Sequence, residues 1–184
     1  MPAKPARAIM RAMELWHYEL ETPLGPMIAA FDGRGRLHSL LFGGLEPRKT
    51  TPLATKQVRE ANAFLARQLA SYFEGKLQTF TVPLAPEGTN FQMRVWEELR
   101  HIPYGRTISY HELANRVGEP NASRAVGQAN GANPIPILIP CHRVLGADGS
   151  MTGYGGGMDR KEALLRLEGV IQPVEPPHRL FNES

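Results

Sequence analysis

Apolar positions alternate in the first part of the chain and recur every three or four residues further on. Leu15 to Glu21 alternates weakly and runs into the turn-forming series Thr22-Pro23-Leu24-Gly25-Pro26. Met27 to Phe31 and Leu37 to Phe42 are short apolar runs, separated by the turn signal Asp32-Gly33-Arg34-Gly35. Together they predict three strands. Gly43 to Pro52 reads as a loop. Val58, Ala61, Leu65, Leu69, Tyr72 and Phe73 fall at helical spacing, with Gly75 as the cap. Leu77 to Leu84 is a further strand candidate.

From Phe91 onward the helical period dominates. Phe91, Val95, Leu99 and Ile102 mark one face, with Trp96 beside it, and Pro103-Tyr104-Gly105 ends the element. Ser109-Tyr110-His111-Glu112 is a capping box ahead of Leu113, Ala114 and Val117, and Gly118 closes that helix. After Pro120, Asn121 is placed to cap a helix reaching about Gly131. Asp148-Gly149 is a turn. Asp159 can cap a last helix through Leu164, Leu165 and Leu167, closed by Gly169.

The expected class is therefore α+β: a small sheet-plus-helix domain, then a mainly helical one. Ala85-Pro86-Glu87-Gly88 is the natural junction. This gives an N-terminal domain over 1–87, loose at 1–13, a second domain over 88–172, and a tail over 173–184. At 184 residues the chain suits one large or two small domains. Net charge is +3, which permits nucleic-acid binding without requiring it. No secretory signal or membrane span is evident, so a soluble, cytoplasmic protein is expected (nuclear in a eukaryote).

The single cysteine sits in Ile137-Leu138-Ile139-Pro140-Cys141-His142-Arg143-Val144, an apolar stretch expected to be a strand. One cysteine forms no intrachain disulfide and fits a reducing compartment. It is either inert filling or a nucleophile. A reactive thiol needs a base, a cation or a helix N-terminus nearby. His142 and Arg143 offer the first two, although strand neighbours point to opposite faces. The helices near 110–117 and 122–131, joined by Gly118-Glu119-Pro120-Asn121, fit a helix-turn-helix or an ordinary helix pair. In the second, Ala122, Ser123, Ala125, Gly127 and Ala129 are small, and Arg124, Gln128 and Asn130 project. A helix so bare suits close approach to a minor groove. Glu168 lies beside the Leu164–Leu165 stripe, exposed at the helix end or buried with a partner.

Pro140-Cys141-His142-Arg143-Val144 resembles the active-site signature of the O6-alkylguanine-DNA alkyltransferases, the methylated-DNA–protein-cysteine methyltransferases. Asn133-Pro134-Ile135-Pro136, Thr152-Gly153-Tyr154-Gly155-Gly156, Arg160-Lys161-Glu162 and Leu167-Glu168-Gly169 follow in the family's order. The resemblance implies a ribonuclease H-like N-terminal domain and a helix-turn-helix domain that carries the cysteine. It implies direct reversal of DNA damage: O6-alkylguanine, and less well O4-alkylthymine, is flipped from the duplex and its alkyl group moves irreversibly to Cys141. No cofactor is implied.

By the same resemblance, Glu168 orients His142, which takes the Cys141 proton through a water. Tyr110 donates to guanine N3, and Asn133 ties the turn before the cysteine. Arg124 fills the gap in the base stack, with Ala122, Ser123, Ala125, Gly127, Gln128 and Asn130 along the DNA-facing helix. Val144, Tyr154, Gly155, Gly156 and Lys161 belong to the base pocket; the Cys141 and Val144 carbonyls face the guanine amino group, and Gly156 leaves room for larger adducts. The implied partner is double-stranded DNA bearing O6-alkylguanine, bound by a monomer that can cluster cooperatively. Some relatives hold a structural zinc; His17 and His38 have no cysteine partners, so no metal is expected. The alternatives are a non-catalytic alkyltransferase-like lesion binder, a Cys–His hydrolase and a sequence-specific DNA reader. Cys141, the arginine-bearing helix and that helix's small side chains speak against them in turn.

Overall fold

The computed structural model describes residues 14–43 and 54–172. Strands β1 (Trp16–Leu20), β2 (Met27–Phe31) and β3 (Leu37–Phe42) form an antiparallel sheet in that order. Met27, Ala29 and Phe31 turn one apolar face inward at the period of two, and a register shift at Ala30/Phe31 brings both Leu40 and Leu37 of β3 opposite that face. Asp32 builds the β2–β3 turn: its carboxylate accepts from the Arg34 and Arg36 backbone N–H groups at 3.0 and 2.9 Å. Helix α1 (Lys56–Phe73) starts at Thr55, whose hydroxyl accepts from Val58 N–H. It lays Val58, Leu65, Leu69 and Tyr72 against the core.

Residues 77–84 do not form a strand. Leu84 makes a single parallel bridge to Leu37, through Leu37 N–H to Pro83 O and Ala85 N–H to Leu37 O, both 2.8 Å. Pro83 has no N–H to continue a ladder. Thr81 N–H is already spent on the Gln68 side chain at 2.9 Å. The expected tail at 1–13, most of the loop ending at Pro52, and the tail at 173–184 lie outside the described residues.

Helices α2 (Asn90–Arg100), α3 (Tyr110–Arg116), α4 (Ser123–Gly131) and α5 (Met158–Leu167) make up the second half. A reciprocal capping box, Thr89 with Gln92, opens α2. Ser109 caps α3 by accepting from Glu112 N–H at 3.0 Å, but the Glu112 carboxylate pairs with Arg116 instead of closing a box. Asn121 does not cap α4: a turn bonding Ala122 N–H to Glu119 O moves the cap to Ala122. Asp159 lies inside the first turn of α5, after Gly157 at φ +92°, where its charge favours the helix N-terminus.

The stretch before the cysteine is not a strand either. Pro134, Pro136 and Pro140 withhold ladder donors, and Ile137 adopts φ +75°, a rare conformation for a β-branched residue. Cys141–Arg143 is one 3-10 turn, leading into β5 (Val144–Leu145), which pairs in parallel with β4 (Ile108–Ser109). Buried apolar residues of both halves form one cluster, and Leu40 N–H on β3 donates to Pro134 O at 2.8 Å. No helix among the described residues is long and apolar enough to cross a membrane.

Candidate active site

The 3-10 turn buries Cys141 and sends its two neighbours to one carboxylate. Glu168, the C-cap of α5, is buried and accepts from five donors. Oε1 takes His142 Nε2 at 2.9 Å, Arg143 Nη2 at 2.9 Å and the Tyr72 hydroxyl at 2.7 Å. Oε2 takes Arg143 Nε at 2.9 Å and Gly105 N–H at 3.3 Å. Arg143 Nη1 donates to Ile102 O at 2.6 Å. A strand would have opposed His142 and Arg143; the tight turn lets both reach Glu168. His142 Nδ1 is buried and makes no bond to protein.

The charges follow from burial. Burial alone would raise the Glu168 pKa, but the His142 and Arg143 hydrogen bonds outweigh it and hold the carboxyl at about 2. Burial lowers the His142 pKa against the opposing pull of Glu168, with Arg143 and Lys161 adding to the lowering. At neutral pH the imidazole is therefore uncharged beside an Arg–Glu ion pair. Burial pushes the Cys141 thiol up to about 11, partly offset by the Asn133 side chain and the Lys161 charge. Arg143, the cation next in sequence, is committed to Glu168; the cation that favours the thiolate is Lys161. Its ammonium is buried, donates to Val144 O at 2.7 Å and Thr152 O at 2.9 Å, and is brought down to about 8 by burial.

Cys141 lines a pocket of about 280 Å³. This is small beside the ~300–1,000 Å³ of sites for drug-sized ligands. Asn130, Asn133, Tyr154, Gly155 and Gly156 contribute walls, and so do Leu41 and Phe42 at the end of β3. Asn133 holds the approach to the cysteine: Nδ2 donates to Ile139 O at 2.7 Å while Oδ1 accepts from Ile135 N–H at 3.0 Å. Arg160 fastens the loop that carries Tyr154. It donates to Gly156 O at 2.8 Å and Leu24 O at 2.9 Å, and stacks its guanidinium 4.5 Å from the Phe42 ring centre.

Several expected roles change in detail. Gly156 opens no space: a Cβ there would lie 2.7 Å from the Tyr154 ring and 2.8 Å from Phe42. The Cys141 carbonyl already accepts from Val144 N–H and from Asn130 Nδ2 at 3.3 Å, which occupies both lone pairs. Val144 O is held by Lys161, and neither Val144 nor Lys161 is on the pocket wall. Asn130 is only 2 % exposed and faces the cysteine, because it shares the inward face of α4 with Val126 and Ala129. Arg124, Ala125 and Gln128 are exposed, and Ala122 and Ser123 half-buried, at the outer side of α4. Gly127 supports the Tyr110 ring, which would lie 3.6 Å from a Cβ built on it.

Residues 16–86 match the 6-O-methylguanine DNA methyltransferase ribonuclease-like domain, and residues 90–170 match the DNA binding domain of the same family. The methylated-DNA–protein-cysteine methyltransferase of Methanosarcina acetivorans is 46% identical over 157 residues, 84% of this chain and 99% of that protein. The chain belongs to the methylated-DNA–protein-cysteine methyltransferase family. The Mycobacterium bovis methyltransferase is 46% identical over 86% of this chain and 96% of its own length. The crystal structure of Mycobacterium tuberculosis OGT in complex with DNA aligns with a TM-score of 0.73 at 46% identity, covering 83% of this chain and 91% of that one.

For a methyltransferase of this family, the site contains residues that sequence reasoning overlooks. Tyr72, Leu41 and Phe42 reach it from the N-terminal half. Their sequence signal is only that of core or strand positions, and nothing local shows that a hydroxyl or a ring meets the second domain. Arg143 and Glu168 are each visible in the signature, but their pairing is not.

Proposed function

We propose that this protein repairs DNA by direct reversal, taking the alkyl group of O6-alkylguanine, and less readily of O4-alkylthymine, onto Cys141 in a single irreversible turnover. The observation that carries the reading is a buried thiol on a small pocket, next in sequence to an uncharged His142 that the ionised Glu168 holds at 2.9 Å. A thiol whose pKa lies near 11 is almost wholly protonated at pH 7, so transfer needs a route for its proton. His142 has one ring nitrogen fixed by Glu168 and the other unbonded, which suits a base acting through one water. The Cys141 proton passes to His142 as Sγ attacks the alkyl carbon. The carbon–O6 bond breaks, and guanine leaves with the electron pair and regains a proton. The thioether has no leaving reaction, so the protein is consumed.

The other roles follow the same reading. Guanine O6 is inaccessible to a buried thiol while stacked, so the nucleotide must flip, at a cost of a few kcal/mol. The exposed outer side of α4 approaches the minor groove, Arg124 enters the vacated stack, and Ala122, Ser123, Ala125 and Gln128 lie along the backbone. Tyr110 donates to guanine N3 as charge builds on the departing base. Asn133 and Lys161 hold the cysteine segment, while Tyr154, Gly155 and Gly156 cover the base. The protein acts as a monomer in the cytoplasm and can cluster on DNA.

Mixing the protein with duplex DNA containing O6-methylguanine, then mapping peptides by mass spectrometry, tests the reading. S-methyl-Cys141 at no more than one per protein molecule is expected, with Cys141→Ala inert in transfer yet still binding DNA. An unmodified Cys141 peptide with the lesion intact, or repair of many lesions per molecule, overturns it.

A further inference from the structure

We propose that Tyr72, on α1 of the N-terminal half, is a positioning residue for His142, because its hydroxyl occupies the same Glu168 oxygen that the imidazole uses. The proposal rests on the relay reading above. Tyr72 is fully buried, and its hydroxyl lies 2.7 Å from Glu168 Oε1 although the two residues are 96 positions apart. Its ring packs against Phe73, Phe80 and Tyr104, with centres 5.4, 5.3 and 6.0 Å away, so packing aims the hydroxyl. Burial, reinforced by the Glu168 charge, drives the phenol pKa far above its ordinary value, so the group is a donor at every working pH.

A donor on Oε1 has two consequences. It fixes the carboxylate, and hence the ring it holds. It also withdraws negative charge from the oxygen that stabilises a protonated His142. The other charged groups acting on the imidazole are Glu168, Arg143 and Lys161; Tyr104, which lies near Glu168 and Arg143, spends its hydroxyl on Leu167 O at 2.9 Å. Arg143 and Lys161 oppose a further positive charge. Tyr72 sets the same balance without carrying charge, and it does so from the ribonuclease-like half. The N-terminal half thus has a direct hand in the chemistry of the second.

Tyr72→Phe keeps the ring and removes the bond. In nitrogen-labelled full-length protein, the His142 ring signals of this variant should titrate about one unit higher than in the wild type. The pH–rate profile of alkyl transfer should move the same way. An unchanged His142 midpoint in a folded variant overturns the proposal, since lost packing alone would not spare or shift that titration selectively. If the variant does not fold, wild-type protein carrying carbon-labelled tyrosine decides instead. The Tyr72 Cζ signal must then move with the His142 midpoint, and a Tyr72 signal blind to it overturns the proposal. Neither titration needs lesion DNA, so failure of wild-type transfer, which would defeat the relay reading, is a separate result.

Discussion

Arg143 grips Glu168 through both carboxylate oxygens, Nε on Oε2 and Nη2 on Oε1, each at 2.9 Å. Both side chains are almost fully buried. Arg143 offsets part of the Glu168 charge that His142 feels, and it fixes the plane of the carboxylate. A lysine cannot reproduce the two-pronged contact or the third bond to Ile102 O.

Removing one partner of such a pair leaves an uncompensated buried charge, a loss of roughly 3–5 kcal/mol. Arg143→Ala should therefore lose stability of that order in denaturant unfolding, and Arg143→Lys only part of it. The pH dependence has a definite sign. Glu168 titrates at about 2 when folded, below its unfolded value near 4.3. Its contribution is present above pH ~4.3 and disappears as pH falls toward about 2. Glu168→Gln should flatten that acid limb; an unaltered acid limb in both Arg143 and Glu168 variants would count against the network.

The Cys141 thiol gives a second measurement. With a folded pKa of about 11, against about 8.5 for a free cysteine, it should resist iodoacetamide at pH 7 and gain reactivity steadily toward pH 11. Unfolding in urea should shift the profile down by about two and a half units. Since the folded pKa is raised, the thiol favours the folded state below about pH 8.5, and this advantage is lost as pH climbs toward about 11. Rates that plateau by pH 8 in folded protein would remove the need for a proton relay.

The sheet, α1 and the four helices of the second half are legible in the sequence because each buries one face at its own period. The segment over 77–84 is misleading because apolar character survives where Pro83 and the Gln68 side chain remove the ladder. At the site, the thiol, the imidazole and the carboxylate are visible as a linear signature together with a helix stripe. What they touch is not. The donors on Glu168 come from 96, 63, 26 and 25 positions away, and no local pattern specifies a contact at such separations. Asn130 shows the opposite error: a polar residue on a bare helix looks like a DNA contact, yet the burial of Val126 and Ala129 turns it toward the cysteine.

An Arg124 variant tests whether the proposed DNA handling can be separated from chemistry. Arg124 is exposed and forms no part of the pocket wall. Arg124→Ala should leave stability within about 0.5 kcal/mol. It should slow transfer from an O6-methylguanine duplex while leaving transfer from the free base O6-methylguanine unchanged. Equal slowing with both substrates, followed by quenched-flow mass spectrometry, would place the arginine in the chemical step and refute the stack-filling role.

Phe42 and Gly156 make the sharpest steric prediction. The glycine brings the loop that carries Tyr154 against β3 so closely that an added methyl would lie 2.7 Å from Tyr154 and 2.8 Å from Phe42. Aromatic rings packed on both sides cannot yield that distance without moving the loop or the strand end. Gly156→Ala should therefore displace the pocket wall and slow alkyl transfer by about tenfold, the effect of roughly 1.4 kcal/mol on the barrier. Phe42→Leu removes ring atoms from the clash and also the surface on which Arg160 stacks. If the clash is what matters, the double variant should recover part of the lost rate, giving a coupling well outside additivity in a double-mutant cycle. Strictly additive losses, with Phe42→Leu simply worsening Gly156→Ala, would show that Phe42 supports the loop through Arg160 and that the glycine answers to Tyr154 alone.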